Sequence, residues 1–138
     1  MTQMLPHLPV ENWEKVRDEW VADVERLATG VERAAAGAEW YVKRETKEIV
    51  EDGIGAYSVP VLTVQAPTGR VYFNPLARFI MGGATGRIEL YAAPSFAGAV
   101  LIRRDGVWWF YTDDLVDLNR AWSEQAFVQT AKDLLAHP

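Results

Sequence analysis

The chain has 138 residues, of which 49% are hydrophobic and 24% are charged, and its formal net charge is −5. This length and composition predict one globular domain over 1–138, without a long disordered arm. The acidic balance disfavours nucleic acid and anionic lipid as partners, and the absence of cysteine excludes disulfides, thiol nucleophiles and thiolate metal sites. No window approaches the roughly 20 apolar residues of a membrane-spanning helix, and the start lacks the basic residue of a secretion signal, so the sequence predicts a cytoplasmic protein.

The first predicted element is a long helix over 12–38, preceded by an extended segment over 1–11 that contains Pro6 and Pro9. Asn12 is a suitable N-cap. Gly30 can bend the helix, and Thr29 with Glu32 forms a capping-box pattern that could start a second helix. One helix is the favoured interpretation, because the apolar stripe keeps its phase across Gly30. The stripe consists of Trp13, Val16, Trp20, Val24, Leu27, Val31, Ala34 and Ala38.

The segment 39–52 fits either a helix or a strand. A strand is the prediction, because Trp-Tyr-Val at its start favours β-structure and the sheet that follows needs an edge. Charged side chains would protect such an edge from aggregation. These are Lys43, Arg44, Glu45, Lys47 and Glu48.

Short strands joined by short turns should follow, so that 40–112 forms an antiparallel meander of five or six strands. A β-rich run from Val59 to Ala66 turns at 67–69 into a strand that ends at Phe73. Asn74-Pro75 should break the ladder, with a strand at 76–80 resuming beyond a bulge. A further strand is predicted over 87–91.

The best-specified element is a hairpin around Asp105-Gly106, a dipeptide that accepts the positive φ angles of a type I′ turn. This turn predicts that Arg103 faces Trp108 and that Leu101 faces Phe110, with these four side chains on one face of the ribbon. The opposite face is also apolar. It carries Val100, Ile102, Val107, Trp109 and Tyr111.

The last predicted element is a helix over 123–136 with Ser123 as its N-cap. Phe127, Ala131 and Leu134 form its apolar stripe. Helices before and after a sheet can both pack on one of its faces. The predicted fold is therefore α+β, with a long N-terminal helix, an antiparallel meander sheet and a C-terminal helix.

The sequence supports no catalytic residue, metal site or cofactor. Glu45-Thr46-Lys47 is similar to the E-x-K half of the PD-(D/E)xK nuclease motif, in which an acid holds a divalent metal and the lysine stabilises charge near the phosphate. The resemblance covers this tripeptide alone, because a helix precedes it here instead of the strand that carries the motif's Asp. We interpret the segment with Asp113, Asp114 and Asp117 as a solubilising loop. We interpret 82–86 as a flexible turn.

The favoured function is that of a small non-catalytic interaction protein, such as an adaptor, accessory, inhibitor or immunity-like module. The candidate binding residues are Leu101, Arg103, Trp108 and Phe110, because aromatic and arginine side chains are frequent in interface hot spots. The alternative, which the sequence supports equally, is that this face belongs to the core and is covered by a helix. The predicted partner is another protein, which the acidic charge balance suggests is basic, or a second copy in a homodimer. The alternative functions are a metal-dependent nuclease-like enzyme using Glu45 and Lys47, and a small-molecule-binding domain with an aromatic pocket.

Overall fold

The computed structural model describes residues 10–51, 55–77, 86–111 and 120–137. These residues form an α+β fold with an N-terminal helix, an antiparallel meander sheet and a C-terminal helix, as the sequence predicts. The elements are α1 (Val10–Gly37), β1 (Tyr41–Glu51), β2 (Gly55–Ala66), β3 (Gly69–Ala77), β4 (Arg87–Ala93), β5 (Gly98–Arg104), β6 (Val107–Tyr111), β7 (Arg120–Ala121) and α2 (Glu124–Ala136).

Helix α1 is one continuous helix, and its predicted apolar stripe is buried at Trp20, Val24, Leu27, Val31 and Ala34. It begins at Val10, two residues before the predicted start at Asn12. Asn12 therefore lies within the helix and is not its N-cap, because the two residues before it, Val10 and Glu11, are already helical. Gly30 therefore lies inside a helix and not between two helices.

The described strands form one sheet in the order β1-β2-β3-β4-β5-β6-β7, in which every neighbouring pair is antiparallel. The seven strands exceed the predicted five or six, because β7 is a two-residue strand without a sequence pattern of its own. The ambiguous segment is strand β1, which pairs with β2 alone among the described residues and so forms an edge of the sheet.

One strand prediction is wrong, and another lies mostly outside the described residues. Asn74 and Pro75 do not end the ladder, because both pair with β4 inside a continuous β3, and the register shifts only between Pro75 and Ala77. The predicted resumption over 76–80 lies mostly in 78–85, outside the described residues. The acidic residues 113, 114 and 117 also lie outside them.

The predicted hairpin is confirmed residue by residue. Arg104 faces Val107, Arg103 faces Trp108, and the pairing continues to Val100 and Tyr111. Asp105 and Gly106 have φ angles of 54° and 77°, as a type I′ turn requires.

Both helices pack on one face of the sheet, here called the helix face. Trp20 of α1 stacks on Trp108, with 5.8 Å between ring centroids, while Phe110 stacks on Trp122, which contacts Phe127 of α2. Ser123 caps α2 by accepting a hydrogen bond from the Ala126 backbone N–H. The core of the fold lies between this face and the two helices.

Strand β2 changes its buried side at Val59-Pro60. Tyr57 and Val59 are buried before this point and Leu62 after it, although the β1–β2 pairing keeps one register throughout. Both strands therefore turn together, and the turn brings the Tyr57 hydroxyl to α1, where it accepts a hydrogen bond from Trp20 Nε1 at 3.0 Å. Because of this turn, the β1–β2 hairpin buries opposite sides at its two ends.

Candidate functional site

The four sequence-predicted binding residues lie on the helix face, beneath α1 and α2. Leu101 and Phe110 are fully buried, Trp108 is 7% exposed, and Arg103 forms an ion pair with Asp23 of α1 at 2.8 Å. This placement corresponds to the core alternative that the sequence left open. Sequence periodicity identifies the two faces of the hairpin, but it cannot say which of them a distant helix covers.

The opposite face of the sheet, here called the outer face, carries the side chains of β1–β6 that point away from both helices. No outer-face residue described on β3, β4, β5 or β6 is fully buried, whereas their helix-face neighbours are buried except Arg103. The alternation therefore leaves a broad accessible surface between the sheet edges. Its aromatic members are Tyr41, Tyr72, Tyr91, Trp109 and Tyr111.

Three tyrosines lie on the part of the outer face that is formed by β1–β4. Tyr72 and Tyr91 are direct cross-strand partners, and their rings stack with centroids 4.7 Å apart. Tyr91 is 40% exposed and Tyr41 is 79% exposed. Because aromatic side chains bury large areas at low entropic cost, this accessible group can contribute strongly to binding.

A groove of about 470 Å³ lies beside these tyrosines. We call it the tyrosine groove. Within it Arg70 Nε donates to Gln65 Oε1 at 2.9 Å, and Gln65 Nε2 in turn donates to the backbone oxygens of Ala66 and Gly69. The guanidinium is thus held in place by the β2–β3 turn, with its terminal nitrogens unbonded to any described residue. The groove is lined on the outer face by Tyr41, Lys43, Glu45, Thr63, Gln65, Arg70 and Tyr72.

The outer face is basic, in contrast to the chain as a whole. From Tyr41 to Lys47 on β1, and across β2–β6, it carries five basic and two acidic residues. Many of the compensating acidic residues lie on α1, which has seven acidic and four basic residues. The sequence reasoning missed this asymmetry because net charge contains no information about faces. The basic residues are Lys43, Lys47, Arg70, Arg87 and Arg104, and the acidic ones are Glu45 and Glu89.

Lys47 lies where β1 and β2 begin to turn, and its Nζ donates a hydrogen bond to Asn74 Oδ1 at 2.6 Å. Burial lowers the pKa of the Lys47 ammonium from its ordinary value of 10.5, and the nearby Glu89 carboxylate opposes this shift. A partly dehydrated cation on an accessible face gains more from an incoming anion than a fully hydrated one would.

The nuclease-like tripeptide is brought to the outer face, but its two charged groups have different neighbours. The Glu45 carboxylate is 3.9 Å from Lys43 Nζ, whereas Lys47 bonds to Asn74. Within the described ranges, no three His, Asp or Glu side chains are grouped so that they could hold a metal ion. Between α1 and the sheet, Trp20 stacks on Trp108 and its Nε1 donates a hydrogen bond to the Tyr57 hydroxyl.

No helix in the described parts of the chain is long and apolar enough to cross a membrane. Comparisons with protein-family models, with curated proteins and with solved structures found no match for this chain.

Proposed function

We propose that this chain is a small interaction protein whose outer face binds an acidic segment of a partner protein. The observation that carries the proposal is the combination of accessible stacked tyrosines with an excess of basic side chains on one sheet face. It keeps the function predicted from the sequence, an aromatic sheet face that binds a protein. It moves the binding surface from Leu101, Arg103, Trp108 and Phe110 to the opposite face, and it changes the partner's charge from basic to acidic.

The chemistry of the outer face supports such a partner. Arg70 presents a planar fork of donors that suits a carboxylate, and its attachment to Gln65 reduces the entropy lost on binding. Tyr72 and Tyr91 beside it offer ring surface for apolar side chains of the same segment. Charge complementarity would then give specificity and a faster association rate.

A protein partner is favoured over single-stranded nucleic acid, which also binds basic, aromatic sheets. The net charge of −5 repels a polyanion that extends beyond the outer face, whereas a short acidic segment meets only the local basic surface. The overall negative charge therefore opposes binding of a long nucleic acid more than binding of a short acidic peptide segment.

The experiment is a titration followed by fluorescence anisotropy, with a labelled short peptide of Asp, Glu, Leu and Phe as the probe. We expect binding that weakens with salt and falls at least about tenfold in Tyr72→Ala and in Arg70→Glu. Arg33→Glu, which changes an exposed cation on α1, is the matched control and should leave affinity unchanged. The same peptide with Lys in place of its acids should not bind. Equal binding of that peptide, or tighter binding of single-stranded oligothymidine, would contradict the proposal.

A further inference from the structure

The free edge of β1 has a charge order that is complementary to itself. The strand is eleven residues long, its residues are mostly exposed, and among the described residues it pairs only with β2. Such an edge presents unpaired backbone donors and acceptors to any other strand. Its sequence is Tyr-Val-Lys-Arg-Glu-Thr-Lys-Glu-Ile-Val-Glu, with Thr46 at the centre.

We propose that two copies of this chain pair antiparallel along β1, about a twofold axis at Thr46, and form one continuous sheet. In this register Glu45 faces Lys47 of the second copy, and Arg44 faces Glu48. Opposite charges and paired threonines are favourable cross-strand neighbours. The pairing occurs twice, because the twofold axis repeats each contact.

Registers centred on the other residues from 43 to 48 are unfavourable. Moving the twofold axis to position 43, 44, 45, 47 or 48 places two identical charges directly opposite each other, since each of these residues is charged. Like charges opposite each other destabilise a strand pair. The same side chains that prevent random edge pairing thus permit one register, which is how a protein selects a specific partner.

The ends of β1 support the same arrangement. Val50 is 72% exposed, and in this register it faces Val42 of the second copy. Pairing would therefore cover exposed apolar surface at both ends of the strand. It leaves both outer faces on the same side of the joined sheet, and it does not depend on the acidic partner proposed above.

Arg44 and Lys47 have partners within the single chain, so the first test measures geometry and not charge. Arg44 binds Glu25 and Glu32 of α1, and Lys47 binds Asn74. The chain has no cysteine, so Thr46→Cys introduces a single thiol. Direct partners in an antiparallel pair have Cα atoms about 4.5 to 5.5 Å apart, within disulfide range. Glu48→Cys is the matched control, because its thiols would be offset by about 13 Å.

We expect Thr46→Cys to form a covalent dimer under mild oxidation, and Glu48→Cys to remain monomeric on a non-reducing gel. The unmodified protein should sediment as a dimer over the same concentration series. A monomeric unmodified protein, or equal crosslinking of the two variants, would overturn the proposal.

A charge variant tests the register independently. Glu45 is exposed, and Glu45→Lys places two like charges opposite each other twice, so the dimer should weaken roughly tenfold. Lys43→Glu changes an equally exposed charge that faces only Ile49 of the second copy, so it should leave dimerisation nearly unchanged. Circular dichroism checks that both variants fold. Equal weakening by the two substitutions would exclude the Thr46 register.

Discussion

Replacing Gly30 by alanine separates two opposing effects in α1. Helix propensity alone predicts that Gly30→Ala stabilises the protein by about 1 kcal/mol, because glycine is costly inside a helix. The tertiary structure predicts the opposite. A Cβ at position 30 would lie 2.8 Å from Trp122 Cζ2, whereas ordinary contacts are 3.4–4 Å.

The magnitude depends on whether Trp122 can move away. Its ring centroid lies 5.8 Å from that of Phe110 and 6.2 Å from that of Phe127, so its neighbours confine it. Overpacking of a confined site typically costs about 1–3 kcal/mol. Subtracting the propensity gain of about 1 kcal/mol leaves an expected net loss of up to about 2 kcal/mol.

The assay is urea unfolding followed by circular dichroism, with Gly37→Ala as the matched control. Gly37 also belongs to α1, but a Cβ there would meet no atom within 4 Å, so alanine should be neutral or stabilising. The midpoint should fall for Gly30→Ala with an unchanged slope. A Gly30→Ala variant that is stabilised by about 1 kcal/mol, as helix propensity alone predicts, would refute the packing of α1 against Trp122.

Three further predictions concern the hairpin, the core and the charged rim. Gly106→Val should lower stability by about 1–3 kcal/mol through backbone strain alone, because position 106 has a φ of 77° and a Cβ added there would meet no atom within 4 Å. An unchanged melting temperature would contradict the type I′ turn. Trp108→Ala should cost about 3–5 kcal/mol in urea unfolding through the cavity it leaves; a cost below 1 kcal/mol would contradict its burial. The hydrogen bond from Arg44 lowers the pKa of Glu32 below its ordinary value of 4.5, so this carboxylate stabilises the fold above that pH and the contribution is lost as pH falls through the lowered pKa. Glu32→Gln should therefore lose less stability than wild type on acidification below pH 4.5. The difference should be under about 1 kcal/mol, because the Arg44–Glu32 pair is partly exposed. If the stability of the two proteins falls equally with pH, the ion pair is contradicted.

Local patterns in the sequence predict much of the fold because they depend on neighbouring residues. Asp105-Gly106 determines its own turn and hence the β5–β6 register, and the spacing from Trp20 to Ala34 predicts the buried side of α1. The turn at Val59-Pro60 has no such signal. It becomes visible only when the register with β1 shows that both strands change their buried side together.

The candidate site could be predicted only in part, because it depends on which sheet face the helices cover. The hairpin has two apolar faces, and the contacts that select the buried one, such as Trp20 with Trp108, join residues far apart in the chain. The basic outer face is also invisible in the net charge, because it is assembled from alternate residues of several strands. Arg70 and Tyr72 show this, since their importance follows from neighbours on β2 and β4.

The most direct test of the proposed binding surface is a chemical-shift map of the isotope-labelled protein titrated with the same acidic peptide. We predict that the largest backbone amide shifts occur in β1–β4 around Arg70, Tyr72 and Tyr91. Amides of α2 and of the middle of α1 should remain unchanged. Shifts concentrated on either helix, or the absence of any shift at saturating peptide, would contradict the assignment of the outer face as the binding surface.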